Sequence, residues 1–103
     1  MIVIAGHVVL DPAQREQAEA AAREMMCETR KEEGCISYTF SADLEQAGRF
    51  RIFEEWESDA ALAAHFASPH MARFQQAVGG LAVREMKVQR YEVSQVAPLG
   101  GPR

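Results

Sequence analysis

The chain has 103 residues, a formal charge of −4, and 48% hydrophobic and 25% charged residues. This length suits one domain with a modest core, and the composition is that of a globular rather than a disordered protein. A negative charge without a lysine and arginine cluster disfavours nucleic acid as a partner, and no apolar stretch is long enough to cross a membrane. The apolar start of the chain lacks the basic residues and cleavage site of a signal peptide, so we predict a cytoplasmic protein.

The first third of the chain predicts a strand followed by a long helix. Ile2 to Leu10 is apolar on both alternating faces, which is typical of a central strand covered on both sides. Asp11 and Pro12 then supply a helix N-cap and a proline at the first helical position. Residues 13–32 are rich in Ala, Glu, Gln and Arg without an internal breaker, so we predict one helix that Gly34 ends.

The middle of the chain predicts a β-hairpin. Residues 35–42 alternate in polarity, and the apolar face consists of Ile36, Tyr38, Phe40 and Ala42. Residues 43–48 form the predicted turn, and residues 50–57 form the return strand. The alternation of a strand puts Phe53 on one face of this second strand. The opposite face then carries Phe50, Ile52, Glu54 and Trp56.

The last third predicts two consecutive helices and a final strand. Ser58 or Asp59 caps a short helix that runs through Phe66, and Ser68-Pro69 restarts the helix up to Val78. Residues 81–93 form the last strand. We therefore predict a domain over residues 1–95 and a flexible C-terminal tail over residues 96–103, which is rich in Gly and Pro.

The predicted order is βαββαβ, an α+β ferredoxin-like fold with a four-stranded antiparallel sheet. Its two helical segments can cover only one face of the sheet. The first strand is apolar on both faces, and Phe53 adds to the uncovered one. A second copy of the chain would bury this face, so we predict a homodimer whose sheets face each other.

Trp56 and His65 are the residues most open to a functional interpretation. Trp56 shares a strand face with Glu54, and His65 lies on the apolar stripe of its predicted helix. Burial would keep the imidazole of His65 neutral and able to accept a proton near pH 7. The alternatives are that Trp56 is a core anchor and His65 a core histidine bonded to a backbone carbonyl. The three histidines have no metal-ligand spacing.

Three segments resemble a known family: Glu33–Tyr38, Glu54–Phe66 and Ser68–Phe74. Together they are similar to the antibiotic biosynthesis monooxygenase (ABM) family, whose members form dimeric α+β barrels. The resemblance covers about residues 2 to 95 and implies the same fold. The chain has no asparagine, although polyketide-oxidising members have one where Ile52 stands, and haem-degrading members have one near His7. Neither of those two sites therefore transfers intact, and the missing asparagines favour a non-catalytic binding protein, whereas the overall resemblance is to the quinol and phenol oxygenases of the family.

The resemblance implies a homodimeric monooxygenase that needs no metal or other cofactor and acts on a small aromatic substrate with molecular oxygen. We predict His65 as the general base, with Trp56 and Glu54 as orienting or hydrogen-bonding groups. The predicted substrate-binding residues are Ile52, Phe66, Met71, Phe74 and Tyr38. Two other functions stay open: a non-catalytic protein that binds a small molecule, and an isomerase that acts on a small hydroxyketone.

Overall fold

A computed structural model describes residues 1–100 of the chain. The strands are β1 (Ile2–Leu10), β2 (Cys35–Ala42), β3 (Arg49–Trp56) and β4 (Val83–Glu92). The helices are α1 (Arg15–Thr29), α2 (Asp59–Phe66) and α3 (Pro69–Gly79), and a 3-10 turn (Pro12–Gln14) precedes α1. This order confirms the predicted ferredoxin-like α+β fold, with its second helical segment divided in two.

The four strands form one antiparallel sheet in the order β2-β3-β1-β4. β1 is central, as its two apolar faces predicted. The core lies on the face that packs against the helices and consists of two clusters. The larger is built around Ile2, Met25, Tyr38, Trp56, Leu62 and Met71, and the smaller around Leu10, Ala18 and Phe50. Among residues 1–100, no helix is long and apolar enough to span a membrane.

The first helix is shorter than the sequence predicted. Asp11 caps the 3-10 turn that precedes it, where the carboxylate accepts a hydrogen bond of 3.0 Å from the backbone N–H of Ala13. The helix ends at Thr29 rather than at residue 32, and a turn leads to Gly34, which has a φ of 85°. A Cβ on Gly34 would lie 2.5 Å from the Cβ of Ala61. Glycine thus allows both the left-handed backbone and the close approach of α2.

A β-bulge in β2 overturns part of the predicted alternation. Cys35 pairs with Trp56 and Ser37 pairs with Glu55, so Ile36 is an extra residue on its strand. Two residues of β2 here oppose one residue of β3, and this reverses the alternation of faces at the start of the strand. Ile36, which was predicted on the buried face, is consequently 50% exposed, and Cys35 packs against the core instead.

The sheet face opposite the helices is uncovered in the single chain. Ala5 and Phe53 are paired on it, and Phe53 is 45% exposed. His7, also on this face, contacts the carboxylate of Glu85 on β4. The predicted tail lies partly within the described range: residues 96–100 form no helix or strand, and its last residues, 101–103, lie outside it.

Candidate functional site

Glu54 and Trp56 form a buried hydrogen-bonded pair on the helix-facing side of β3. The indole Nε1 of Trp56 donates a hydrogen bond of 2.9 Å to Oε1 of Glu54. Trp56 has no exposed surface, and the carboxylate of Glu54 is also buried. The two residues are two positions apart on a strand, so their side chains project from the same face. The sequence predicted that the two residues share a face, but not the hydrogen bond between them.

Burial changes the acidity of Glu54. Removal of its carboxylate from water raises the pKa of Glu54 to about 7. The hydrogen bond from Trp56 opposes this rise, and the nearby charge of Glu32 adds to it. Glu54 therefore changes protonation state near neutral pH, as a general base requires. Burial also raises the pKa of Tyr38, so its phenol stays protonated.

His65 lies beside this pair, in the last turn of α2. Its ring centroid is 4.8 Å from that of Trp56 and 5.4 Å from that of Tyr38, and the side chain is 1% exposed. Its Nδ1 lies 2.7 Å from Oε2 of Glu32. Its Nε2 is buried without a hydrogen-bond partner in the described part of the chain. The sequence thus predicted correctly that His65 points towards the sheet, but not that Glu32 holds it.

Glu32 and His70 are site residues that the sequence did not predict. Nε2 of His70 lies 2.8 Å from the same Oε2 of Glu32 that His65 contacts. The turn after α1 carries Glu32, and the first turn of α3 carries His70. The restart of the helix at Ser68 was the available signal for His70, whereas the end of α1 at Thr29, which places Glu32 in a turn, was not predicted from the sequence.

An apolar cavity of about 120 Å³ lies between the sheet and the helices α1 and α3. Every side chain that lines it is apolar. The lining residues are Val8, Leu10, Ala18, Ala22, Phe40, Phe50, Ile52, Phe74, Val78, Val83 and Met86. Apolar protein cavities of about 150 Å³ accept benzene, so this cavity matches one aromatic ring in size and character.

The cavity and the buried cluster share one wall. Phe40 and Phe74 line the cavity and also pack against the cluster that contains Trp56, and their rings stack at 5.6 Å. Ile52 lines the cavity, and Glu54 follows two positions later on the same face of β3. Along β3, Glu54 therefore lies between Ile52, which lines the cavity, and Trp56.

The predicted substrate-binding residues are distributed over three places. Ile52 and Phe74 line the cavity. Tyr38 and Met71 belong to the core cluster around Trp56. Phe66 lies outside both and is 59% exposed, because consecutive residues of a helix are rotated by about 100° and His65 occupies the inward direction. Phe66 is therefore corrected from a pocket residue to a surface residue of the single chain.

Comparison with known proteins identifies the family. Residues 1–77 match the family model of the antibiotic biosynthesis monooxygenases. The chain belongs to the ABM family. It is 37% identical over 79 residues to Rv0793 of Mycobacterium tuberculosis, which carries a monooxygenase name, and the match covers 75% of each chain. It is also 37% identical over 67 residues to YgiN of Escherichia coli, named a probable quinol monooxygenase, covering 57% of this chain and 64% of YgiN.

Solved structures of the family share the whole fold. A Deinococcus radiodurans protein, assigned provisionally to the antibiotic biosynthesis monooxygenases, superposes with a TM-score of 0.89 at 28% identity. That match covers 98% of this chain and 100% of the other. The structure of Rv0793 gives a TM-score of 0.84 at 28% identity, with 94% and 98% of the two chains covered. The ABM resemblance seen in the sequence is thereby confirmed.

Proposed function

We propose that this ABM protein is a homodimeric monooxygenase that oxidises a small phenol or hydroquinone with molecular oxygen and without a cofactor. One observation carries the proposal: Ile52 lines a ring-sized apolar cavity, and Glu54, a buried carboxylate with a pKa of about 7, follows two positions later on the same face of β3. The monooxygenase names of Rv0793 and YgiN support the reaction class. The name of YgiN also supports a quinol as the type of substrate.

The proposed chemistry needs few protein groups. A base removes the phenolic proton, and the electron-rich anion transfers one electron to oxygen. The phenoxyl radical and superoxide then combine to form a carbon–oxygen bond, and loss of water from the hydroperoxide completes the reaction. A hydroquinone and O₂ thus yield a hydroxyquinone and water, with one oxygen atom in each. The protein supplies the base, orients the ring and excludes bulk water.

Glu54 is the base that we favour over His65. Glu54 follows the cavity residue Ile52 on the same face of β3. The indole N–H of Trp56 donates a hydrogen bond to one of its carboxylate oxygens. Neither Glu54 nor His65 lines the cavity, but His65 is hydrogen-bonded to Glu32 and lies on α2, which contributes no lining residue, whereas Glu54 follows the lining residue Ile52 on β3. His65 then acts on the substrate indirectly, by packing against Trp56. The first prediction, that His65 itself is the base, differs from this one in a measurable way.

The test is oxygen uptake with a panel of hydroquinones, phenols and anthrones, followed by product analysis. The wild type should consume one O₂ per substrate and release no peroxide. Glu54→Gln keeps the acceptor for Trp56 but removes the titrating base, so turnover should fall by about 10² to 10⁴ fold. His65→Gln should retain more activity than Glu54→Gln. Glu57→Gln, an exposed neighbour on the same segment, is the matched control and should react like the wild type.

The outcomes separate the hypotheses. If His65→Gln loses turnover and Glu54→Gln does not, the first assignment of the base is the correct one. If no substrate consumes oxygen, the oxygenase proposal fails. A non-catalytic binding protein is the second candidate, because the stacked rings of Phe40 and Phe74 stand between the cavity and the polar cluster. That protein would bind a hydroquinone in calorimetry and return it unchanged.

A further inference from the structure

Glu32, His65 and His70 bring three metal-ligating atoms to one point. Nδ1 of His65, Nε2 of His70 and one carboxylate oxygen of Glu32 all lie within 4.8 Å of one another. They come from three separate segments: the turn after α1, the end of α2 and the start of α3. Two imidazoles and a carboxylate are a donor set that divalent zinc, cobalt and iron accept.

Each neutral form of His65 leaves one ring nitrogen unsatisfied, and a cation between these groups would relieve this. If Nδ1 donates its proton to Glu32, Nε2 is left as a buried acceptor without a donor in residues 1–100. If Nε2 carries the proton, Nδ1 directs its lone pair at a carboxylate oxygen 2.7 Å away. A positive ion removes that repulsion. In that tautomer the N–H on Nε2 has no hydrogen-bond acceptor in residues 1–100, and the neighbouring aromatic rings of Trp56 and Tyr38 are at best weak acceptors.

The three side chains are held before any ion binds. His65 is packed against the rings of Trp56 and Tyr38, while His70 and Glu32 are 12% and 16% exposed. The side chain of Ser68 accepts a hydrogen bond from the backbone N–H of Met71 at 3.2 Å, which fixes the start of α3 and with it His70. Ordered ligands on rigid elements lower the cost of binding, and the exposed edge gives an ion a path inwards.

We propose that Glu32, His65 and His70 form a binding site for one divalent transition-metal ion, with zinc or cobalt as the suitable probes. Three protein ligands leave a tetrahedral ion one open position, which water can occupy. The ion would connect the end of α1 to both α2 and α3. This site does not depend on the proposed oxygenase activity, and its test reads metal binding and not turnover.

The experiment uses full-length protein freed of its affinity tag and dialysed against a chelator. Titration with Co²⁺, followed by visible absorption, should saturate at one ion per chain. Calorimetry with Zn²⁺ should give the same stoichiometry, and Zn²⁺ should raise the Tm by mass action. His70→Asn and Glu32→Gln should each weaken the affinity at least tenfold, an effect at the lower end of that seen on loss of a supporting contact. Both variants should remain folded by circular dichroism.

A matched control is available on the open face of the sheet. His7 contacts Glu85, a histidine–carboxylate pair that lacks a second imidazole. His7→Asn should bind both metals like the wild type. The proposal is overturned if the wild type shows no saturable binding, or if His70→Asn and Glu32→Gln bind as tightly as the wild type. In the first case the cluster is a hydrogen-bonded proton network only, and in the second the ion binds elsewhere.

Discussion

Glu54→Gln should make the stability of this protein less dependent on pH. Glu54 is buried beside Trp56, whose indole N–H donates to its carboxylate. Glutamine has nearly the same shape, and its side-chain oxygen can accept the same hydrogen bond. The substitution therefore removes the ionisation of residue 54 while it leaves the packing and the bond in place.

The size and sign of the effect follow from the pKa. Burial raises the pKa of Glu54 from 4.5 to about 7. Below pH 4.5 the carboxyl is protonated in the folded and the unfolded chain, and the favourable contribution of the neutral group is fully present. As pH rises through 7 this contribution is lost, since the unfolded chain ionises more easily. The shift corresponds to about 3 kcal/mol of unfolding free energy.

The measurement is urea unfolding of wild type and variant at pH 5 and pH 8, at one protein concentration so that any dimer contributes equally. The variant should gain about 2.5 kcal/mol relative to the wild type between the two pH values, because the unfolded carboxyl is already largely ionised at pH 5. Groups common to both proteins cancel in this difference. Glu57→Gln, at an exposed position, should give no such gain. An equal difference at pH 5 and pH 8 would mean that Glu54 titrates like an ordinary surface carboxylate.

Two further predictions concern the open face and the cavity. Phe53→Asp puts a charge on the uncovered sheet face, so sedimentation should show a monomer of 11.4 kDa in place of the wild-type dimer. The control Leu44→Asp, in an exposed turn, should stay dimeric. A monomeric wild type would refute the dimeric α+β barrel. Phe74→Ala removes the ring that stacks on Phe40, so the variant should bind two-ring phenols that the wild type excludes. Because Phe74 is only partly buried, the stability cost should lie below the roughly 3 to 5 kcal/mol of a core phenylalanine. Unchanged ring-size selectivity in calorimetry would contradict the cavity assignment.

The fold was predictable because each strand and helix carries its own local pattern. The doubly apolar alternation of Ile2–Leu10 identified the central strand, and Ser58 and Ser68 marked two helix starts that the structure confirms through their side-chain caps. The bulge at Ile36 was not predictable in the same way. Its position depends on the pairing of β2 with β3, and Cys35 and Ile36 are both apolar, so the sequence does not distinguish which of them faces the core.

The polar site was predictable only where its members are close in sequence. Glu54 and Trp56 are two residues apart on one strand, so alternation alone joins them. Glu32 is 33 residues from His65 and 38 from His70, and only the packing of α2 and α3 against the end of α1 brings these groups together. In the sequence, Glu32 belongs to a charged segment at the predicted end of a helix, and side chains in such a segment are usually interpreted as exposed to solvent.

The burial of Glu54 lowers the stability of the folded protein at neutral pH but suits its carboxylate to proton transfer. A buried carboxylate weakens the folded state at neutral pH, and a glutamine would keep the hydrogen bond to Trp56 without that cost. Packing alone therefore gives no reason for an ionisable group at this position. A role in proton transfer gives such a reason. Burial raises the pKa of Glu54 and thereby brings its basicity into the range that phenol deprotonation at neutral pH requires. If Glu54→Gln proves more stable at pH 8 and inactive, both effects have this one physical cause.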